Sequence, residues 1–83
     1  MKVTGGNGFS IKDAIVISEC SNSEGVKQED IEIEKRFGNY KVIRQTLLEV
    51  KDNMYEKKEI ELQNGKKLNI YFDITDFLDK DLF

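Results

Sequence analysis

The stretch ELQNGKKL, Glu61-Leu62-Gln63-Asn64-Gly65-Lys66-Lys67-Leu68, joins two runs of alternating character and can turn in two ways. A two-residue loop at Asn64-Gly65 would set Ile60 opposite Asn69 and Ile70 opposite Glu59, which turns the apolar rows of the two strands to opposite faces. A three-residue loop, with a type I turn at Gln63-Asn64 and Gly65 left-handed in a G1 bulge, sets Ile60 opposite Leu68 and Met54 opposite Ile74. Only the second register builds a common apolar face. It defines a hairpin of strands over residues 54–62 and 66–74.

Working outward, residues 40–50 read as a further strand. A three-residue loop Lys51-Asp52-Asn53, with Asn53 tolerating the left-handed conformation, predicts Val50 opposite Met54. Upstream, Ser21 and Glu24 have the spacing of a capping box, and Gly38 follows Phe37 as a C-cap glycine. Lys35 and Arg36 suit the last turn of the intervening helix, predicted over 22–37, through its dipole. At 100° per residue Val26, Ile33 and Phe37 fall within about 40° of one another, giving it a narrow apolar stripe. Ala14-Ile15-Val16-Ile17 is short and β-branched, so it reads as a buried strand. Thr75 is placed to cap a last short helix, in which Ile74, Phe77, Leu78 and Leu82 recur at helical spacing. The expected fold is α+β: strand, helix, three-stranded antiparallel meander and short C-terminal helix, with the long helix on one sheet face.

The 83 residues are enough for one domain, and nothing in them marks a linker or repeat. No apolar run approaches the roughly 20 residues that span a bilayer, and Met1 to Ser10 lacks the apolar core of a signal peptide. The expected compartment is the cytoplasm. Cys20 is the only cysteine, so it forms no internal disulfide, and without any histidine as a base it reads as an inert thiol.

Chemical motifs fail on context. Gly5, Gly6 and Gly8 resemble part of a dinucleotide fingerprint, but Ile11 stands at its third glycine position and a strand, not a helix, is expected next. No Gly-Lys-Ser/Thr completes a Walker loop. The glycines are expected to be mobile or to turn onto the sheet, with Phe9 as the first buried anchor. Asp73, Asp76, Asp79 and Asp81 are out of register for a calcium loop. The absence of histidine and the single cysteine argue against zinc and other transition metals. Two acidic-x-lysine tripeptides, at 49–51 and 56–58, are what chance gives in so charged a chain. No cofactor, metal or catalytic set is expected, and the chain reads as non-enzymatic.

Charge is distributed unevenly. Residues 13–34 hold seven acidic side chains and one basic, and residues 73–83 four and one, whereas residues 40–72 hold seven basic against five acidic. One account is solubility alone. A second makes Glu29, Asp30, Glu32 and Glu34 on the helix, with Asp76 and Asp79 in the tail, a surface for a protein partner with a basic face: an inhibitor, immunity protein or adaptor. A third uses Lys41, Arg44, Lys57 and Lys58 with Tyr55 and Tyr71 (and Tyr40) to contact phosphates and stack on single-stranded nucleic acid. The net charge of −3 weighs against that. Pairing of exposed sheet edges into a homodimer is a further use of such a sheet.

The order helix, three strands, helix resembles the double-stranded-RNA-binding domain. The closing segment Thr75-Asp76-Phe77-Leu78-Asp79-Lys80 departs from that family's lysine-rich helix start, so its function is not carried over. The opening Gly5-Gly6-Asn7-Gly8-Phe9-Ser10, then Ala14-Ile15-Val16-Ile17, Phe37-Gly38 and the ending Ile70-Tyr71-Phe72-Asp73-Ile74-Thr75-Asp76-Phe77, is similar to small stand-alone uncharacterised bacterial proteins. That resemblance implies a compact bacterial domain and no activity. The expectation is therefore a small protein-binding domain, with nucleic-acid binding and homodimerisation as alternatives.

Overall fold

The computed structural model describes residues 1–78. The described residues form five strands and one helix: β1 (Lys2–Gly5), β2 (Ile15–Ser18), α1 (Asn22–Phe37), β3 (Tyr40–Val50), β4 (Asn53–Leu62) and β5 (Lys67–Asp73). These strands make a single mixed sheet in the order β1-β2-β5-β4-β3, with β2 parallel to β5 and every other neighbouring pair antiparallel. This corrects the expected architecture of a three-stranded meander with a separate first strand and a C-terminal helix.

Two local facts explain the correction. The glycine-rich opening is preceded by a real strand, because Lys2, Val3 and Thr4 pair with Ser18, Ile17 and Val16. Gly8 then closes the sheet: its carbonyl accepts the Tyr71 N–H at 2.6 Å, and a Cβ there would stand 3.0 Å from Ile15 Cδ1. At φ +86° and with that clearance, glycine is required at this position. Gly8, not Phe9, is the buried residue; Phe9 is 50% exposed and its ring lies against Phe37, with centroids 6.0 Å apart.

At the other end, residues 75–78 form a turn and not the start of a helix. Thr75 caps a strand instead: its Oγ1 accepts the Met54 N–H at 2.9 Å and its hydroxyl donates to Asp73 Oδ1 at 2.7 Å. Ile74 and Phe77 are nonetheless buried and Leu78 half-buried. The part of the predicted helix that includes Leu82 lies outside the described residues.

The local signals of α1 are present as expected. Ser21 Oγ accepts the Glu24 N–H at 3.2 Å, Glu24 Oε1 accepts the Ser21 N–H at 2.9 Å, and Gly38 donates to the Glu34 carbonyl. The first of these effects on Glu24 is that the Ser21 backbone hydrogen bond holds its carboxyl below the usual range. What differs is the buried face. Val26 is exposed, whereas Gly25, Glu29, Glu32 and Ile33 are buried.

The β4–β5 hairpin has the bulged register, with Ile60 opposite Leu68 and Gly65, at φ +87°, donating to the Leu62 carbonyl at 2.9 Å. The β3–β4 turn departs from expectation: Val50 pairs with Asn53, and Lys51 and Asp52 both take positive φ, 50° and 68°. A two-residue turn with both central residues left-handed follows the twist of the strands better than the longer loop. Continued without a break, its register would place Lys41 opposite Leu62 on the core side. A bulge between Val42 and Arg44 corrects this, returning Tyr40 opposite Leu62 and Val42 opposite Ile60.

The core lies between α1 and one sheet face. It holds Ile15, Ile17, Ile33, Ile60, Ile70, Phe72, Ile74 and Phe77, with Cys20 buried at its margin. Among the described residues no helix is long and apolar enough to cross a membrane.

Candidate functional site

Side chains alternate across a strand, so Met54, Glu56, Lys58 and Ile60 of β4 all face α1. Lys58 is therefore carried into the helix–sheet layer and is buried. Its ammonium is surrounded by three carboxyl groups: Glu29 Oε1 at 3.1 Å, Asp30 Oδ1 at 3.4 Å and Glu56 Oε1 at 3.9 Å. A neighbouring carboxylate, Glu32, is handled separately by Gln28 Nε2 at 2.8 Å and Arg36 Nη2 at 3.2 Å. Asp30 also accepts the Tyr40 hydroxyl at 2.5 Å; burial first, and that carboxylate second, hold the Tyr40 phenol well above its usual range.

One ammonium among three carboxyls leaves a deficit of positive charge, and it falls on the Glu29–Glu56 pair. Glu56 Oε1 is buried and receives no hydrogen bond. Burial, followed by the hydrogen bond and charge of Glu56, pushes the Glu29 carboxyl from 4.5 to about 9. A proton on Glu29 supplies the donor that the Glu56 carboxylate lacks. Burial works against the Lys58 ammonium, but Glu29, Glu56 and Asp30 outweigh it and hold Lys58 above its usual value.

Glu29 and Glu56 line a groove of about 330 Å³. Val26 of α1, Gln45, Thr46 and Leu47 of β3, and Phe77 and Leu78 share that lining. Asn22 ties Phe77 and Leu78 to the helix, since its Nδ2 donates to their carbonyls. The groove opens beside β3, whose outer edge has no neighbouring strand among the described residues. Ile43 is 50% exposed and Leu47 55%.

This arrangement divides the sequence-predicted acidic residues, burying Glu29 and Glu32 and leaving Asp30, Glu34 and Asp76 exposed. Asp30 is engaged by Tyr40 and Lys58. Asp76 Oδ2 accepts the Glu19 N–H at 2.8 Å, Glu34 is exposed, and Asp79 lies outside the described residues. The candidate nucleic-acid contacts fare differently. Lys58 is buried on the helix side, but Tyr55, Tyr71, Lys57, Arg44 and Lys41 share the opposite, uncovered sheet face. Lys57 is directly opposite Tyr71, Tyr55 is one step diagonal to it, and Arg44 pairs with Glu59 at 3.6 Å.

Sequence reasoning missed the Glu29–Lys58–Glu56 cluster, Leu47 and the groove. A signal was present, because Glu56 and Lys58 interrupt the core-facing row that runs from Met54 to Ile60. Charges in a core row require a partner from the opposing element. Among the described residues no group of three or more His, Cys, Asp or Glu is arranged to hold a metal ion; Lys58 occupies the centre of the carboxyl cluster. No protein-family model matches this chain, and no curated protein or solved structure matches it.

Proposed function

We propose that this chain is a non-enzymatic, cytoplasmic protein-binding domain that takes an extended segment of a partner protein along β3. The observation that carries this reading is an eleven-residue edge strand with apolar Ile43 and Leu47 exposed, of which Leu47 lines a groove. Unpaired edges of this length are ready templates for another strand, which adds main-chain hydrogen bonds and sets alternate side chains into neighbouring pockets. The bulge at Ile43 leaves the straight part, residues 44–50, as the docking stretch.

The test is capture of a protein from cell lysate by the wild type and by Ile43→Lys/Leu47→Lys, followed by amide exchange. Addition of the purified captured protein is expected to slow exchange across residues 44–50, and the double variant is expected to capture nothing while melting as the wild type does. A dimer in solution that the double variant dissolves would assign the edge to a second copy of this chain instead.

The uncovered sheet face supports a second reading, single-stranded nucleic-acid binding. Tyr71, Lys57 and Tyr55 adjoin there, a combination suited to base stacking and phosphate contact. Oligonucleotide binding that falls steeply with salt and is lost in Lys57→Glu/Tyr71→Ala would favour it. No binding at low salt would dispose of it.

A further inference from the structure

We propose that the groove beside β3 receives the side chain of one lysine or arginine from the partner segment, with its alkyl stem between Val26 and Leu47 and its cationic head at Glu29 and Glu56. This rests on the reading of β3 as the docking edge and specifies what the docked segment must carry. A strand laid outside β3 turns every second side chain toward the helix side of the sheet, where Leu47 and the mouth of the groove lie. Apolar Val26, Leu47, Phe77 and Leu78 line the groove together with the carboxyls of Glu29 and Glu56 and polar Gln45 and Thr46, a mixture that suits a long side chain with an apolar stem and a charged end.

The charge count identifies the sign of that end. Glu32 has its own donors in Gln28 and Arg36, and Asp30 has Tyr40, so those carboxylates are satisfied. Glu29 and Glu56 share what remains of Lys58, whose ammonium is 3.9 Å from Glu56 Oε1, an atom that is buried and undonated. In the free domain the deficit is met by a proton on Glu29. A cationic head entering from the partner meets it instead and releases that proton; a neutral side chain of the same length cannot.

The probe is a set of random ten-residue peptides displayed on phage and selected against the wild-type domain. Selected sequences are expected to alternate apolar residues and to carry Lys or Arg at one fixed register. A synthetic peptide of the selected sequence is expected to bind at least about tenfold more tightly than its norleucine counterpart, equivalent to about 1.4 kcal/mol. That difference should shrink to within about twofold against Glu56→Gln, provided the variant melts cooperatively. Titration calorimetry of the wild type in buffers of different ionisation enthalpy gives a readout without mutation: the Lys peptide is expected to release protons near pH 7.5, and the norleucine peptide none. Equal affinity of the two peptides, or no proton release, overturns the inference and leaves the β3 reading standing. Selected peptides that bind Ile43→Lys/Leu47→Lys as well as wild type overturn both.

Discussion

Lys58 Nζ lies 3.1 Å from Glu29 Oε1 with only 5% and 3% of the two side chains exposed. A β-strand and a helix thus meet through charge in a layer otherwise filled by isoleucine and phenylalanine. Removing the Lys58 ammonium leaves the Glu56 carboxylate buried with no cation beside it, at a cost of about 3–5 kcal/mol. Lys58→Met is expected to lose that much in urea denaturation, a large share of the total for a domain of this size. The double replacement Glu29→Leu/Lys58→Met is expected to recover part of the loss, because apolar side chains then fill the space of two buried polar groups. A double variant as unstable as the sum of its singles would mean that the two residues act independently.

Glu29 also sets a pH dependence of stability. Its carboxyl titrates at about 9 in the fold against the ordinary 4.5, so the folded state holds a proton that the unfolded chain gives up. The contribution is full below the unfolded value and declines as pH rises above it, until it is gone once pH passes about 9. Midpoints of urea denaturation measured from pH 5 to pH 9 are therefore expected to fall, with the Glu29→Gln variant showing a shallower decline. Lys58 and Asp30 adjoin the same cluster, but Lys58 is held above its usual value and keeps its charge throughout this range. Parallel pH profiles for wild type and variant would contradict a protonated Glu29.

These two residues also mark the boundary of what the sequence made legible. The ends of α1 were readable because capping is local: Ser21, Glu24 and Gly38 settle them within a few residues. The β4–β5 register was readable because only one turn aligns Ile60 with Leu68. Strand order was not, since the parallel contact of Ile15 with Phe72 joins distant parts of the chain and leaves no local trace. β1 was hidden by its brevity and by the glycines that follow it. The acidic residues of the helix divide for a physical reason: Glu29 has its partner, Lys58, in the core-facing row of β4, where the composition of the hairpins alone reads as a basic surface. Pairing Glu56 and Lys58 with the helix positions that share the face of Gly25 and Ile33 would have located the site.

Gly25 tests how closely α1 approaches Phe77. A Cβ built there would lie 2.6 Å from Phe77 Cδ1, with further ring atoms at 2.7 Å. Alanine improves helix propensity by about 1 kcal/mol, but overpacking of a filled core costs about 1–3 kcal/mol, so Gly25→Ala is expected to destabilise on balance. Adding Phe77→Leu should restore part of the loss by removing the ring. Because Phe77 lines the groove, Gly25→Ala is also expected to weaken binding of any β3 ligand. A fully stable Gly25→Ala would show that Phe77 yields freely.

The two hairpin turns make opposite predictions from the same backbone rule. Asp52 adopts φ 68° at a site where a side chain is strained, and Gly65 adopts φ +87° where none is present. The left-handed conformation costs an ordinary L-residue roughly 1–2 kcal/mol. Asp52→Gly is accordingly expected to raise the unfolding midpoint and Gly65→Ala to lower it, each by about 1 kcal/mol. Nothing lies within 4 Å of a Cβ at Gly65, so its loss would come from backbone strain alone and not from a clash. The Asp52 variant carries a second consequence for the docking edge. The β3–β4 turn sets the unbroken register of residues 44–50, and a relaxed turn that preserves the pairing of Val50 with Asn53 should leave peptide affinity at β3 unchanged. If Asp52→Gly stabilised the fold but abolished that affinity, the strained turn would have to be part of the binding surface.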